Sequence, residues 1–240
     1  MQKALFYPIG KSQSSIHCTR LLQQYGVPLI DHPSPDVTHL LLDVPTKPSD
    51  TLTSTLSMLP LSITVIGGNL QLPDIKVWDL LRDETYLSQN AAITAHCALK
   101  TALPHLSTTL SDTPTLIIGW GRIGKCLGKL LKSMGCPVTV AARKESHRSI
   151  LRALGYQTQN TENLNLHSFR LLFNTVPETV ISENQLLPYP DLIKIDLASR
   201  PGLEGKDIIT ARGLPGIHAP ETSGKLQFET ILRYLKEDQT

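Results

Sequence analysis

The run Gly119-Trp120-Gly121-Arg122-Ile123-Gly124 constrains this chain more than any other feature. It follows the aliphatic run Thr115-Leu116-Ile117-Ile118 and opens the helical pattern Ile123–Met134, which Gly135 closes. In that strand–turn–helix setting, G-x-G-x-x-G is the fingerprint of a nucleotide-binding βαβ unit. The first glycine permits the tight turn, the second lets the backbone approach a pyrophosphate, and the third lets helix and strand pack closely. The helix start adds unpaired N–H groups and a positive dipole end for the anion. Gly119, Gly121, Arg122, Ile123 and Gly124 are therefore the first cofactor candidates. The competing reading, glycines that serve packing alone, leaves the fold unchanged.

The next strand, Pro137–Ala142, decides which dinucleotide is expected. A cofactor with a free ribose 2′-hydroxyl usually meets an acid at the end of this strand, about 20 residues after the motif. Here Ala142 is followed by Arg143 and Lys144, with Ser146, His147 and Arg148 close behind. A guanidinium grips a 2′-phosphate bidentately. NADP is therefore expected over NAD, with Ala142, Arg143 and Lys144 at the adenosine end. The alternative is an exposed loop that is merely basic.

Aliphatic runs alternate with helical patterns along the whole chain, the mark of an α/β fold with a mainly parallel sheet. Ala4–Pro8, Val27–Ile30, Thr38–Val44 and Ser62–Ile66 read as strands. Ser14–Tyr25, ended by Gly26, and a short segment near Thr53–Met58 read as helices. Val77 to about His105 reads as helical, interrupted near Ser88-Gln89-Asn90. Beyond the motif, Ser146–Leu154 is a helix, and Arg170–Thr175, Leu192–Leu197 and Asp207–Ala211 are strands. Gly213–Gly224 reads as a loop, with Thr222 as the capping candidate for a final helix, Thr222–Lys236. The expected division is an N-terminal α/β domain over 1–88 and a Rossmann-type, doubly wound domain over 89–240 that includes the linking and final helices.

Composition narrows the function class. With 40% hydrophobic and 18% charged residues the chain is globular. Lys+Arg at 23 against Asp+Glu at 21 gives no broad basic footprint for nucleic acid. The uncharged stretch Thr51–Pro73 contains Pro60, Gly67-Gly68 and Pro73, so it is no membrane span. Only Ala4-Leu5-Phe6-Tyr7 is apolar near the N-terminus, too short for a signal-peptide core. Cys18, Cys97, Cys126 and Cys136 form no Cys-x-x-Cys pair. His17, His32, His39, His105, His147 and His167 show no ligand spacing, so no metal is expected. A cytoplasmic protein with reduced thiols is the expectation.

Several segments of the second half carry a resemblance. Gly119–Gly124, Ala142-Arg143, Asn174-Thr175-Val176-Pro177, Asp196-Leu197-Ala198-Ser199-Arg200-Pro201-Gly202, and Gly213-Leu214-Pro215-Gly216-Ile217 followed by Ala219-Pro220 are similar to the dipicolinate synthase family, in its A-type subunits. The last two segments are the specific ones. The likeness covers about residues 80–240 well and the first 80 only in layout. It implies a flavodoxin-like N-terminal α/β domain ahead of an NAD(P)-binding domain like that of the 2-hydroxyacid dehydrogenases. It also implies a dihydrodipicolinate-type substrate, a flavoprotein-like B-type partner and a role in sporulation. The chain departs from the family in its shorter N-terminal domain, in His96-Cys97 where the family carries Glu-Gly, and in His218 where it carries an apolar residue.

From that layout, Asn174 and Thr175 are expected at the nicotinamide ribose and Pro177 shapes the loop after the strand, with Val176, Pro177, Leu197 and Ala198 also assigned to the cofactor. Asn174 capping its own turn is the alternative. Arg200 is expected to fork a substrate carboxylate in a cleft between the domains, or else to pair with Asp196 or a carbonyl. Asp196 is assigned to holding the Ser199–Gly202 turn. His218 and His96 are the candidate acid–base groups. Three functions follow: an NADP-dependent oxidoreductase of a cyclic dicarboxylate, a dehydrogenase of another 2-hydroxy or 2-keto acid, or a non-catalytic NADP-binding component. A homodimer is expected from the general habit of soluble enzymes.

Overall fold

A computed structural model describes residues 4–238. The chain divides into two compact units, Met1–Asn90 with Pro215–Thr240, and Ala91–Leu214. The first contains β1 (Phe6–Pro8), α1 (Gln13–Gln24), β2 (His39–Leu41), α2 (Asp50–Ser57), β3 (Thr64–Gly67) and β4 (Lys76–Asp79), and α3 (Glu84–Ala102) begins there. Its four strands pair in parallel in the order β1-β2-β3-β4. Beyond β1, the expected strand Val27–Ile30 makes a single parallel bridge, Leu29 to Phe6. Pro28 has no N–H to extend a ladder, although its carbonyl accepts from Phe6 N–H at 3.0 Å. Counting that edge, the order is the flavodoxin-like 2-1-3-4-5. Val37, Leu40, Leu42, Leu59, Ile63, Val65 and Leu70 form a core cluster of this unit.

The region from Val77 differs from its helical expectation. Val77 and Trp78, good strand formers, complete β4 on the edge of the sheet. Asp79 then ends the strand by accepting from Asn69, Leu70 and Leu81 N–H groups at 3.1, 3.1 and 2.9 Å. Helix α3 runs without a break through Ser88-Gln89-Asn90. Its buried Ala91, Ala95, Ala98 and Ala102 recur at helical spacing, and packing of that stripe overrides the weak local propensity.

The second unit contains β5 (Thr115–Ile118), α4 (Arg122–Ser133), β6 (Val138–Ala141), α5 (Glu145–Ala153), β7 (Gln157–Gln159), β8 (Leu171–Asn174), α6 (Glu183–Leu186), β9 (Ile193–Asp196) and β10 (Ile208–Thr210). All pair in parallel in the order β10-β9-β8-β5-β6-β7, the doubly wound arrangement. A sheet covered on both faces reads as continuous apolar sequence, and all of β5 is buried. Leu116 and Ile118 join Ala141, Leu166, Leu172, Ile181 and Leu192 on one face, and alternation turns Ile117 to the other.

The chain ends in α7 (Leu214–His218) and α8 (Pro220–Glu237), where the sequence reads as a loop up to Gly224. Pro220 starts α8 after Ala219 as N-cap, so Thr222 lies inside the first turn and caps nothing. Helix α8 groups with the first unit, not with the Rossmann unit as the 89–240 division supposes. The physical cause is its close crossing with α1. A Cβ on Gly224 would lie 2.4 Å from the Ser14 carbonyl oxygen and 2.9 Å from His17 Cβ. Leu226 and Ile231 are buried, and Asp83 accepts from Arg233 at 2.6 Å and from the Tyr234 hydroxyl at 2.8 Å.

Candidate functional site

In the doubly wound sheet the strand order reverses between β5 and β8, and ligands bind outside the carboxyl ends at such a point. A cleft of about 250 Å³ lies there. Gly119 and Trp120 after β5 line it, as do Ala142, Arg143, Lys144 and His147 after β6, Thr161 after β7, and Val176, Glu178 and Val180 after β8.

Each motif glycine has a separate physical requirement. Gly119 has φ +101°, in the left-handed region, and a Cβ there would lie 2.4 Å from Thr175 Oγ1. Its N–H donates to the Ala141 carbonyl at 2.9 Å. A Cβ on Gly124 would sit 2.3 Å from the Gly119 carbonyl oxygen, so the third glycine lets α4 meet the turn. Gly121, by contrast, is the N-cap of α4 with no side-chain cap, and a Cβ there would meet nothing within 4 Å. That open space, with first-turn N–H groups facing it, fits a pyrophosphate. Arg122 is exposed and Ile123 half-buried at the helix start.

The turn after β6 has an internal brace. Arg148 donates from Nη1 to the Ala142 and Arg143 carbonyls at 2.6 Å each, and pairs through Nη2 with Glu145 at 2.8 Å. Arg152 also engages Glu145 and, with Arg148, holds its carboxyl below the usual range. Glu145, the acid that opens α5, is thus paired off. Ala142 is buried, whereas Arg143 and Lys144 are exposed with no side-chain hydrogen bond or ion pair among the described residues. Trp120 packs edge-on to Tyr156, with centroids 5.5 Å apart, and firms the opposite wall.

At the end of β8 the expectation for Asn174 needs correction. Asn174 is fully buried, and its Nδ2 donates to Asp196 Oδ1 at 2.9 Å and to the Val176 carbonyl at 3.0 Å. Its Oδ1 accepts from Val176 N–H at 3.0 Å. Both amide hydrogens are spent, so the side chain ties β8 to β9 and is not available to a ribose. Thr175 donates to the Ile118 carbonyl at 2.9 Å and braces the Gly119 turn, while Val176 lines the cleft beside Pro177.

Asp196 also accepts from Ala198 N–H at 3.1 Å, Gly202 N–H at 2.8 Å and Leu203 N–H at 3.3 Å. It holds the Ser199–Gly202 turn. Leu197 and Ala198 are buried in the strand end. Arg200 is exposed at the tip of the turn and pairs with neither Asp196 nor a carbonyl among the described residues. His96 is exposed in mid-α3, in the same unit, whereas His218 ends α7, half-buried, in the first unit. The structure thus brings Gly119, Ala142, Arg143, Lys144 and Val176 into the lining of one cleft and divides the acid–base candidates between units. Sequence reasoning missed Arg212, whose Nε donates to the Ala198 carbonyl at 2.9 Å. It also missed Thr161, Glu178 and Val180 in the cleft wall, since no motif marks them. Burial pushes the Cys97 thiol up, away from the thiolate form that a nucleophile uses. Among the described residues no group of His, Cys, Asp and Glu could hold a metal ion, and no helix is long and apolar enough to cross a membrane.

Residues 80–186 match the family of D-isomer specific 2-hydroxyacid dehydrogenase, NAD binding domain. The A-type subunit of dipicolinate synthase from Bacillus subtilis (strain 168) is 28% identical over 161 residues, which cover 62% of this chain and 54% of that relative. The chain thus matches about half the length of this curated relative. In fold, the corresponding dipicolinate synthase protein from Bacillus halodurans superposes with a TM-score of 0.83 at 20% identity, covering 98% of each chain. A transhydrogenase from Sinorhizobium meliloti gives 0.74 at 12% identity over 97% of this chain and 93% of that one. The resemblance read from the sequence holds in sequence and in fold.

Proposed function

We propose that this chain, similar to the A-type subunits of dipicolinate synthase and carrying a dehydrogenase-type NAD-binding domain, is an NADP-dependent oxidoreductase of a cyclic dicarboxylate of the dihydrodipicolinate type. One observation carries the choice of cofactor. At the adenosine end of the cleft Glu145 is consumed by Arg148 and Arg152, while Arg143 and Lys144 reach solvent without partners among the described residues. A 2′-phosphate finds a guanidinium and an ammonium there, and the first acid after β6, Glu145, is not free to receive a bare 2′-hydroxyl. NAD is the less favoured cofactor on this reading.

The open cradle at Gly121 and the first turn of α4 hold the pyrophosphate, and Thr175 and Val176 shape the nicotinamide side. When bound, the nicotinamide supplies or accepts a hydride. The chain's own contribution is to bind, to orient and to exclude water. Arg200 offers a planar fork to one substrate carboxylate. A proton must move as the hydride does, and His96 and His218 are the titrating candidates for it. A flavoprotein-like partner of the B type, a cytoplasmic role in sporulation and a homodimer belong to the same reading and rest on the resemblance.

The family match also favours a second reading, a dehydrogenase of another small 2-hydroxy or 2-keto acid. A nucleotide-binding component without chemistry is the third. NADPH and NADH affinities, followed by assays of dihydrodipicolinate with and without a candidate flavoprotein partner, separate the three. Turnover only with the partner supports the first reading. Turnover of a hydroxy acid by the chain alone supports the second, and binding without turnover the third.

A further inference from the structure

We propose that Arg212 supplies a second guanidinium to the substrate, so that the site selects a dicarboxylate over a monocarboxylate. The inference rests on the reading of Arg200 as the partner of one carboxylate. Arg212 follows β10, and its Nε–H donates to the carbonyl of Ala198 at 2.9 Å. Ala198 stands two residues before Arg200 in the turn that Asp196 holds, so both arginines serve the same short segment at the carboxyl ends of β9 and β10. The Nε bond uses one of the five guanidinium donors and leaves the Nη1–Nη2 fork free to grip a carboxylate end-on. An arginine anchored this way loses less freedom on binding than an unanchored one.

Counter-charge is the second strand of the argument. Neither Arg200 nor Arg212 has an ion pair among the described residues. The nearby acid, Asp196, spends Oδ1 on Asn174 and Ala198 and Oδ2 on Gly202 and Leu203. Two cations thus stand at one turn, and neither is paired with a carboxylate among the described residues. A ligand with two carboxylates satisfies both forks. A monocarboxylate leaves one guanidinium uncompensated.

Calorimetry on the full chain, saturated with whichever of NADP+ and NAD+ it binds, tests this with pyridine-2,6-dicarboxylate and pyridine-2-carboxylate. The wild type should prefer the dicarboxylate by about tenfold to a hundredfold, the range of one charge-assisted contact. Arg212→Gln keeps an N–H for the Ala198 carbonyl but removes the charge, and should bring the two affinities to within about threefold. Arg212→Lys should lose most of the preference too, because one ammonium cannot hold the carbonyl and fork a carboxylate. Matching thermal midpoints establish that the variants are folded. A wild-type preference retained in both variants overturns the proposal. So does a variant that loses nucleotide affinity but keeps the preference, which would give Arg212 to the cofactor. A wild type that binds neither pyridine acid overturns the dicarboxylate reading itself, an outcome distinct from failure at Arg212 alone.

Discussion

A methyl group on Gly121 meets empty space, whereas one on Gly124 strikes the Gly119 carbonyl oxygen. The same residue type therefore answers to the fold at Gly124 and, on the proposed function, to a ligand at Gly121. Gly121→Val should leave the unfolding midpoint nearly unchanged and abolish NADPH binding, which calorimetry beside a thermal melt will show. Arg143→Asp should weaken NADPH by about 1.5–3 kcal/mol and narrow its advantage over NADH. Equal wild-type affinities for the two nucleotides would refute the role given to Arg143. These positions are legible in the sequence because the motif fixes their spacing. Asn174 is legible only as a polar residue at a strand end. Its partner Asp196 lies 22 residues away, and only the pairing of β8 with β9 brings the two together.

Among the elements, the buried strands and the amphipathic helices announce themselves. Strand β5 reads as one apolar run, and α4 carries its apolar residues at helical spacing. Short polar elements do not. Strand β7 is Gln-Thr-Gln, and its place is set by pairing with β6 rather than by any pattern of its own. Helix α7 carries a proline and a glycine within five residues, which reads as a loop. The tie between β8 and the turn after β9 carries its own prediction. Asp196→Asn places an amide N–H₂ where backbone N–H groups now donate, and should cost about 1–3 kcal/mol in urea denaturation. Asp196→Ala should cost at least as much, and a neutral result in both would detach the turn from this carboxylate.

Taken as a whole, the molecule should lose stability in mild acid through a residue of the first unit. His39 stacks on Phe6 with ring centroids 4.5 Å apart, and burial pushes its pKa down to about 4. Its Nε2 is buried and has no partner among the described residues. The unfolded chain takes up this proton near pH 6.5 and the folded chain only near pH 4. The contribution is therefore complete above pH 6.5 and is lost as pH falls toward 4, by up to about 3 kcal/mol. His39→Leu should flatten that dependence, read from Trp78 emission in a Trp120→Phe background; an unchanged slope would count against it. Composition and alternation imply two α/β units at this scale, yet not the membership of α8. Its amphipathic pattern says that a face is buried but not on which unit, and the close crossing of Gly224 with α1 decides that.

That membership bears on the order in which the chain is made. All strands of the second unit lie within residues 91–214, while the first unit needs α8 from beyond them. Growing from the ribosome at about 5–20 residues per second, the chain has the first unit's sheet segments some seconds to tens of seconds before α8 emerges. The Rossmann unit can therefore close first, reversing the usual N-terminal-first order of multidomain proteins. In the interval α1, whose Cys18 and Leu22 are buried in the finished protein, lacks α8, a helix it packs against. Nascent chains truncated between residues 214 and 220, on a linker long enough to clear the ribosomal exit tunnel, should accordingly bind holdase chaperones through this helix, and chains carried past residue 238 on the same linker should release them.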